Sequence, residues 1–148
     1  MRAVIQRVKE ATLSVEGEIV SAIGKGLIVY LGIGVGDSDV DRDWLINKIV
    51  NLRIFNDTDG KINLSVKDVG GEVLLVSQFT LYASTKKGNR PSFLRSAKPE
   101  EAISKYEEFQ HTLKEEVPTQ SGIFGADMQV TYTNDGPITI TIDTKSKE

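Results

Sequence analysis

Hydrophobic and polar residues alternate through the first third of the chain, as in strands that bury one face. The pattern predicts strands at about 3–8, 12–16 and 18–23, then an apolar strand, GLIVYLGI, at 26–33. A further run, GGEVLLVSQFTLY at 70–82, predicts a strand whose segment VLLV is apolar on both faces and therefore central in a sheet.

Two other segments have the period of an amphipathic helix. The first is predicted at 39–52, with an N-cap at Asp37, Ser38 or Asp39 and an inner stripe of Val40, Trp44, Leu45, Ile49 and Leu52. The second begins at Pro99 and ends before Pro118, with an inner stripe of Ala102, Ile103, Tyr106, Phe109, Leu113 and Val117. A turn, FNDTDGK, follows the first helix.

The end of the chain has two short alternating runs, DMQVTYT and ITITI, on either side of Asn134-Asp135-Gly136-Pro137. Asn, Asp and Gly tolerate positive φ, so these residues predict the turn of a β-hairpin. Pro137 would begin the second strand, although proline cannot donate a ladder hydrogen bond. With two helices and many strands, the pattern predicts a strand-rich α/β fold.

Composition narrows the class of protein. The 148 residues fit one domain, 1–148, with a polar tail at about 143–148. No apolar run reaches membrane-spanning length and the charged start is unlike a signal peptide, so we expect a cytoplasmic protein. The absence of cysteine excludes disulfides and zinc–thiolate sites, and a single histidine disfavours a histidine metal centre. We expect no metal and no cofactor; carboxylate-bound Mg²⁺ stays open, but no pattern indicates it.

The charge distribution is uneven although the net charge is only −3. No acidic residue lies between Glu72 and Glu100, and that segment contains five cations: Lys86, Lys87, Arg90, Arg95 and Lys98. Such a local excess is typical either of a solvated loop or of a confined contact with phosphates.

One familiar type of site is rejected and another is disfavoured. The glycines of GLIVYLGIGVGDSD have the spacing G-x-G-x-G, and Asp37 would put a carboxylate where a pyrophosphate should lie, so we reject a dinucleotide site. A serine-hydrolase triad would need His111, which lies next to the buried stripe of the second helix and is expected at the boundary of the core or at the surface.

The segment SQFT gives a better candidate site. Ser77, Gln78 and Thr80 follow the apolar run directly, at the point where a strand leaves the core. Strand ends often line clefts, and free backbone N–H groups there can stabilise an oxyanion without a side-chain base. An exposed strand end with hydroxyls facing water fits the pattern equally well.

Two motifs carry a resemblance. SQFTLYASTKKGNRPSF (77–93) and NDGPITI (134–140) resemble the two signature motifs of the D-aminoacyl-tRNA deacylase family. MRAVIQRV, VEGEIV, GLIVYLGI, RIFND, GGEVLLVSQFTL and FGADMQV resemble other family segments in the same order, so the similarity runs from Met1 to about Ile142. Ser84 departs from the aspartate of many members, which affects only a local loop contact.

The resemblance implies mixed sheets forming a barrel-like core with two helices packed on it. It implies a homodimer that hydrolyses the ester of D-aminoacyl-tRNA, and glycyl-tRNA mischarged on tRNA(Ala). Gly136 and Pro137, joined by a cis peptide bond, would enter the partner's pocket and reject L-substrates. Arg7 would brace them, with Met128 nearby.

The same resemblance assigns the pocket and the tRNA contact. Ser77, Gln78, Phe79 and Thr80 would line the catalytic pocket, with backbone N–H groups facing the scissile ester. Lys86, Lys87, Arg90 and Arg95 become candidate contacts for acceptor-stem phosphates. Thr80 has been considered as a nucleophile; we favour assistance by the ribose 2′-hydroxyl, since an aminoacyl ester is already activated. A non-catalytic tRNA-end-binding module and a structural oligomerising domain are the alternatives.

Overall fold

A computed structural model describes all 148 residues, which form eight strands and two α-helices joined by turns and loops. In chain order the elements are β1 (Arg2–Val15), β2 (Glu18–Ile23), β3 (Gly26–Gly32), α1 (Asp39–Asn51), β4 (Phe55–Asn56), β5 (Ile62–Leu64), β6 (Glu72–Ser77), α2 (Pro99–Glu116), β7 (Thr119–Ser121) and β8 (Gln129–Asp143). No helix is both long enough and apolar enough to cross a membrane.

Six strands form one mixed sheet that curls almost into a barrel. Its order is β2-β1-β3-β6-β7, and β8 pairs with the other edge of β1. The two ends of the sheet, β2 and β7, approach each other closely enough for the Ser21 hydroxyl on β2 to donate to the Ser121 carbonyl on β7 over 2.6 Å. As predicted from its apolar sequence, β6 is central, lying parallel to β3 on one side and to β7 on the other.

The sheet buries a hydrophobic cluster on each face. The larger cluster lies under the two helices and includes Ile5, Leu27, Leu45 and Phe109. The smaller one contains Val8, Ala11, Leu13, Ile23, Ile28, Leu74 and Val76, and the half-buried Tyr30, Met128, Val130 and Tyr132 pack against it. The expected architecture, a strand-rich barrel-like core with two helices packed on it, is confirmed.

The helix ends agree with the sequence pattern, but two residues of the predicted inner stripes do not. Ser38 caps α1 and forms a capping box with Asp41, and Pro99 occupies the first turn of α2. Val40 is 75% exposed and Ile103 is 38% exposed. Both predictions were wrong because the contact with the sheet, and not the helical period alone, selects which apolar positions face inward.

The first strand is longer than predicted. Residues 3–8 and 12–16 were expected to form two strands, but β1 is continuous through the exposed Lys9 and Glu10. Its first half pairs with β3 and its second half with β2, while β8 follows the whole of the opposite edge. Lys9 and Glu10 lie at a register shift between Val8 and Ala11 and have no partner on β8, so the pairing on either side of them keeps this charged middle extended.

The hairpin predicted at Asn134–Pro137 is also wrong. β8 is one strand from Gln129 to Asp143, antiparallel to β1, and Asn134–Pro137 form a bulge inside it. Gln6 lies opposite Thr139 and Val8 lies opposite Asn134, so β8 uses five residue steps where β1 uses two. The two runs flanking Asn134–Pro137 therefore pair with β1 instead of with each other.

The polar tail predicted at 143–148 packs against the body of the protein. Thr144 is buried, and its hydroxyl accepts a hydrogen bond of 2.6 Å from the Met1 ammonium group. Lys145 Nζ donates to Asp41 Oδ2 over 2.7 Å at the start of α1. These contacts join the two ends of the chain to α1.

Candidate functional site

A pocket of about 290 Å³ opens where the parallel strands β3 and β6 end. Eleven of its fifteen lining residues are hydrophobic. Ser77, Gln78 and Phe79 form one wall, and Met128 and Phe124 belong to the segment that follows β7. A mostly apolar pocket with a few polar groups at the carboxyl ends of parallel strands is a typical ligand-binding arrangement.

The segment SQFT turns sharply at the pocket instead of continuing the predicted strand. β6 ends at Ser77, and Phe79–Tyr82 form a 3-10 turn. The Gln78 N–H donates to the Leu31 carbonyl over 2.8 Å, which fixes the start of the turn on β3. The next two N–H groups, of Phe79 and Thr80, are the first of this turn and therefore have no acceptor within it.

No side-chain base accompanies the hydroxyl of Thr80. Its Oγ1 accepts a hydrogen bond of 2.5 Å from the Gln78 amide. Thr80 itself is exposed and, unlike Ser77, Gln78 and Phe79, does not line the pocket. His111 lies on α2 with its side chain 82% exposed, and its Nε2 is 3.7 Å from Glu115. The residues of a hydrolytic triad are therefore not brought together.

Aromatic side chains shape the pocket, and of these the sequence identified only Phe79 as part of a site. Phe79 and Phe93 meet edge to face with ring centroids 5.0 Å apart. Tyr106 on α2 donates its hydroxyl to the Leu75 carbonyl over 3.0 Å, and Tyr30 lies on β3. Burial raises the pKa of Tyr30 and of Tyr106, so both phenols stay neutral in the physiological range. Helical spacing indicated burial of Tyr106 but could not indicate which cavity it reaches.

Gly136 and Pro137 lie at the exposed tip of the β8 bulge, joined by a cis peptide bond. Neither residue lines the pocket of its own chain. Arg7 holds the bulge: its Nε is 3.2 Å from the Asp135 carbonyl oxygen and 3.2 Å from Asp135 Oδ2. The structure thus brings Arg7 to the Gly-Pro segment and keeps both apart from Ser77–Phe79.

The short β4–β5 hairpin orients Arg7, a function that the sequence did not indicate. Arg7 Nη1 donates to the Ile54 carbonyl over 2.8 Å and to Asn56 Oδ1 over 3.2 Å. With a side chain only 8% exposed, Arg7 needs these acceptors to satisfy its donors. The segment RIFND therefore supplies the support for Arg7.

Met128 lies in the pocket wall and not beside the bulge of its own chain. Its sulfur occupies the space next to Gly122, where an added Cβ would be 2.4 Å from Sδ. A side chain at position 122 would displace Met128, so Gly122 allows this thioether to reach the pocket.

The basic segment folds into a second cavity of about 340 Å³. Lys86, Lys87, Arg90 and Arg95 line it together with Ser84, Ser92 and Leu94. Reciprocal backbone hydrogen bonds of 2.8 and 2.9 Å between Ser84 and Ser92 close the loop. Lys98, the fifth cation of the segment, lies outside the cavity at the N-cap of α2.

Three matches to known proteins place this architecture. The model of the D-Tyr-tRNA(Tyr) deacylase family matches residues 4–143. The solved structure of a c-Myc DNA unwinding element binding protein is 43% identical, with a TM-score of 0.93 over 97% of this chain and 98% of that chain. A probable eukaryotic D-amino acid tRNA deacylase has a TM-score of 0.80 at 16% identity, over 95% of this chain and 97% of that chain, and shows the fold.

Proposed function

The chain belongs to the D-Tyr-tRNA(Tyr) deacylase family, a family of hydrolases that act on aminoacyl-tRNA, and we propose that it cleaves the ester of D-aminoacyl-tRNA in the pocket beside Ser77–Thr80. The observation that carries the proposal is the pair of backbone N–H groups at Phe79 and Thr80, which open the 3-10 turn and have no acceptor within it. Phe79 lines the apolar pocket, Thr80 follows it in the same turn, and no residue that lines the pocket is a side-chain base.

These N–H groups stabilise the oxyanion that forms on the ester carbonyl during attack. The aminoacyl ester is an activated substrate, so orientation and charge stabilisation supply the catalysis. The 2′-hydroxyl of the terminal ribose, adjacent to the 3′-ester, assists the reaction in place of an enzymic base. Thr80 then orients Gln78 through their hydrogen bond and forms no covalent intermediate.

Chiral selection comes from the Gly136–Pro137 segment of the partner in a homodimer. Three features support this arrangement: the segment is exposed, it is held from behind by Arg7, and it does not line its own pocket. Its backbone carbonyls bind the substrate amino group and leave no room for an L side chain. A rigid backbone barrier at the α-carbon rejects every L-amino acid regardless of side chain.

The dimer arrangement is testable by mixing subunits. Ala126→Trp would fill the pocket, and Pro137→Glu would spoil the inserted segment. Each variant alone should be inactive, whereas a randomly re-associated mixture should regain about a quarter of the wild-type sites, since half the dimers contain one intact pocket facing one intact segment. No recovery, with exchange verified by mass, would contradict insertion across the dimer.

The basic cavity binds phosphates of the tRNA acceptor end without reading sequence, which suits an enzyme that accepts many tRNAs. Glycine has no side chain on its α-carbon, so a barrier against L side chains would also admit it, and glycyl-tRNA mischarged on tRNA(Ala) is a second substrate. Because these substrates are made where proteins are synthesised, we place the enzyme in the cytoplasm.

Turnover of D-tyrosyl-tRNA tests the activity and separates it from simple binding. Substoichiometric protein should release many equivalents of free D-tyrosine, with inactive pocket-filled Ala126→Trp as the matched control. Tight binding of the charged tRNA end without release would identify a non-catalytic tRNA-end-binding module. Neither binding nor release would leave only a structural, oligomerising domain.

A further inference from the structure

The Gly136–Pro137 bulge is held from two faces of the sheet, and Arg7 occupies only one of them. Neighbouring residues of a strand point to opposite faces, so Gln6 lies on the face opposite to Arg7. Gln6 is also the residue of β1 that pairs with Thr139, at the end of the bulge. Its amide Nε2 donates to Thr139 Oγ1 over 3.0 Å.

The same Gln6 side chain reaches the other end of the bulge. Its Oε1 accepts a hydrogen bond from the hydroxyl of Tyr132, which precedes the bulge on β8. Between the pairs Gln6–Thr139 and Val8–Asn134, β8 advances five residues while β1 advances two, so β8 has three extra residues in the bulge. The side-chain amide of Gln6 therefore connects the two halves of β8 on either side of this bulge. Such a bridge restricts how far the two flanks can separate.

Hydrogen bonds extend this bridge in both directions. Toward the pocket, the hydroxyl of Tyr30 donates to that of Tyr132 over 3.2 Å, and Tyr30 lines the pocket wall. Toward the bulge, Asn134 Nδ2 donates to Thr139 Oγ1 over 3.2 Å. Asn134 Oδ1 accepts a hydrogen bond from the Ile138 N–H over 3.3 Å, so the Asn134 side chain connects the residues on either side of Gly136 and Pro137.

We propose that Gln6 and Tyr132 are positioning residues for chiral selection, which fix the Gly136–Pro137 segment from the face opposite Arg7 and connect it to the pocket wall of the same chain. The proposal rests on the proposed function, in which that segment enters the partner's pocket. Each subunit would then link the pocket it provides to the selecting segment it donates. Burial and the hydrogen bond to Tyr132 raise the pKa of Tyr30, which keeps its hydroxyl protonated as the first donor of the chain.

Tyr132→Phe and Gln6→Met interrupt the chain without changing the bulk of the side chain. The ratio of D-tyrosyl-tRNA to L-tyrosyl-tRNA hydrolysis should fall about two- to tenfold in each variant, as expected for one neutral hydrogen bond. The fall should come from faster L hydrolysis, with kcat/KM for the D-substrate within about twofold of wild type. The double variant should lose little more than either single variant, because both interrupt one path.

Tyr82→Phe is the matched control, since Tyr82 is a buried tyrosine that takes no part in these hydrogen bonds and does not line the pocket. It should leave the D to L ratio unchanged. Equal losses for both substrates in Tyr132→Phe, or an unchanged ratio in a selective wild-type enzyme, would overturn the proposal.

Amide hydrogen exchange at Ile138 provides a readout that does not require activity. Exchange should be faster in Tyr132→Phe and Gln6→Met than in wild type or Tyr82→Phe, because the Ile138 N–H donates within the restrained segment. Unchanged exchange would overturn the restraint itself. An inactive wild-type protein with the expected exchange pattern would instead refute the proposed function and leave the mechanical role of Gln6 and Tyr132 supported.

Discussion

Arg7 and Asp135 are joined by two contacts, from Arg7 Nε to the Asp135 carbonyl oxygen and to its carboxylate Oδ2, each 3.2 Å long. Asp135 directly precedes Gly136, so this pair sets the position of the Gly-Pro segment from the first strand of the sheet. Arg7 is itself fixed by Ile54 and Asn56. The orientation of the exposed segment therefore depends on a guanidinium that is almost wholly buried.

Arg7→Lys should weaken chiral selection more than it weakens hydrolysis. A lysine carries its three donors on a single nitrogen in place of a planar fork, so it cannot reach Asp135 and the β4–β5 hairpin together. We expect the D to L hydrolysis ratio to fall at least about tenfold, as expected for loss of hydrogen bonds to a charged group. Arg53→Lys is the control, because exposed Arg53 binds Asn63 in the same region. Equal D to L ratios in Arg7→Lys and wild type would refute the bracing role.

Sequence alone predicted most elements but not the feature that presents Gly136. Asn-Asp-Gly-Pro has the same local chemistry in a hairpin turn and in a bulge, so local preference could not separate the two. The outcome depends on β1, which offers a full-length partner edge to both flanking runs. Local propensity is overruled here by pairing between residues more than a hundred positions apart.

The pocket, too, was predictable only where it depends on residues that are neighbours in the sequence. The change from apolar to polar residues at Ser77 indicated where the strand leaves the core, but the strand predicted through Tyr82 ends at Ser77. Tyr30 reaches the pocket because β3 pairs with β6, and Tyr106 reaches it because α2 packs against β6. No local pattern distinguishes such residues from ordinary core aromatics.

Thr80→Ala should retain substantial activity. The Thr80 hydroxyl contacts the Gln78 amide and no base, while the backbone N–H at position 80 remains in the variant. We expect kcat to fall by less than about tenfold, which corresponds to one lost hydrogen bond. Single-turnover hydrolysis of D-tyrosyl-tRNA measures this directly. Complete loss in a folded variant would restore the nucleophile hypothesis.

The pH dependence of hydrolysis should show no enzymic titration between about pH 6 and about pH 9. Tyr30 and Tyr106 are the titratable side chains that line the pocket, and burial raises the pKa of both, so both stay neutral throughout this range. After subtraction of spontaneous hydrolysis, the one inflection expected in a log-rate plot is that of the substrate's own α-amino group. A pH profile that differs between wild type and His111→Ala would show that the exposed histidine takes part and would contradict this prediction.

The cations of the second cavity should govern the salt dependence of tRNA binding. Lys86→Ala combined with Arg90→Ala removes two phosphate contacts, so the slope of log K against log salt should become shallower by about two. Lys61→Ala with Lys114→Ala changes the net charge equally at exposed sites outside this cavity and should leave the slope unchanged. Identical slopes for the two double variants would show that the loop is merely solvated.

The most direct test of the central claim is the rate of ester cleavage on D-tyrosyl-tRNA and L-tyrosyl-tRNA, measured with the same enzyme at the same concentration. We predict rapid release of D-tyrosine, with L-tyrosyl-tRNA persisting at its spontaneous rate of hydrolysis. Release of both amino acids at equal rates would contradict chiral selection by Gly136 and Pro137. Failure to release D-tyrosine would contradict the proposed activity itself.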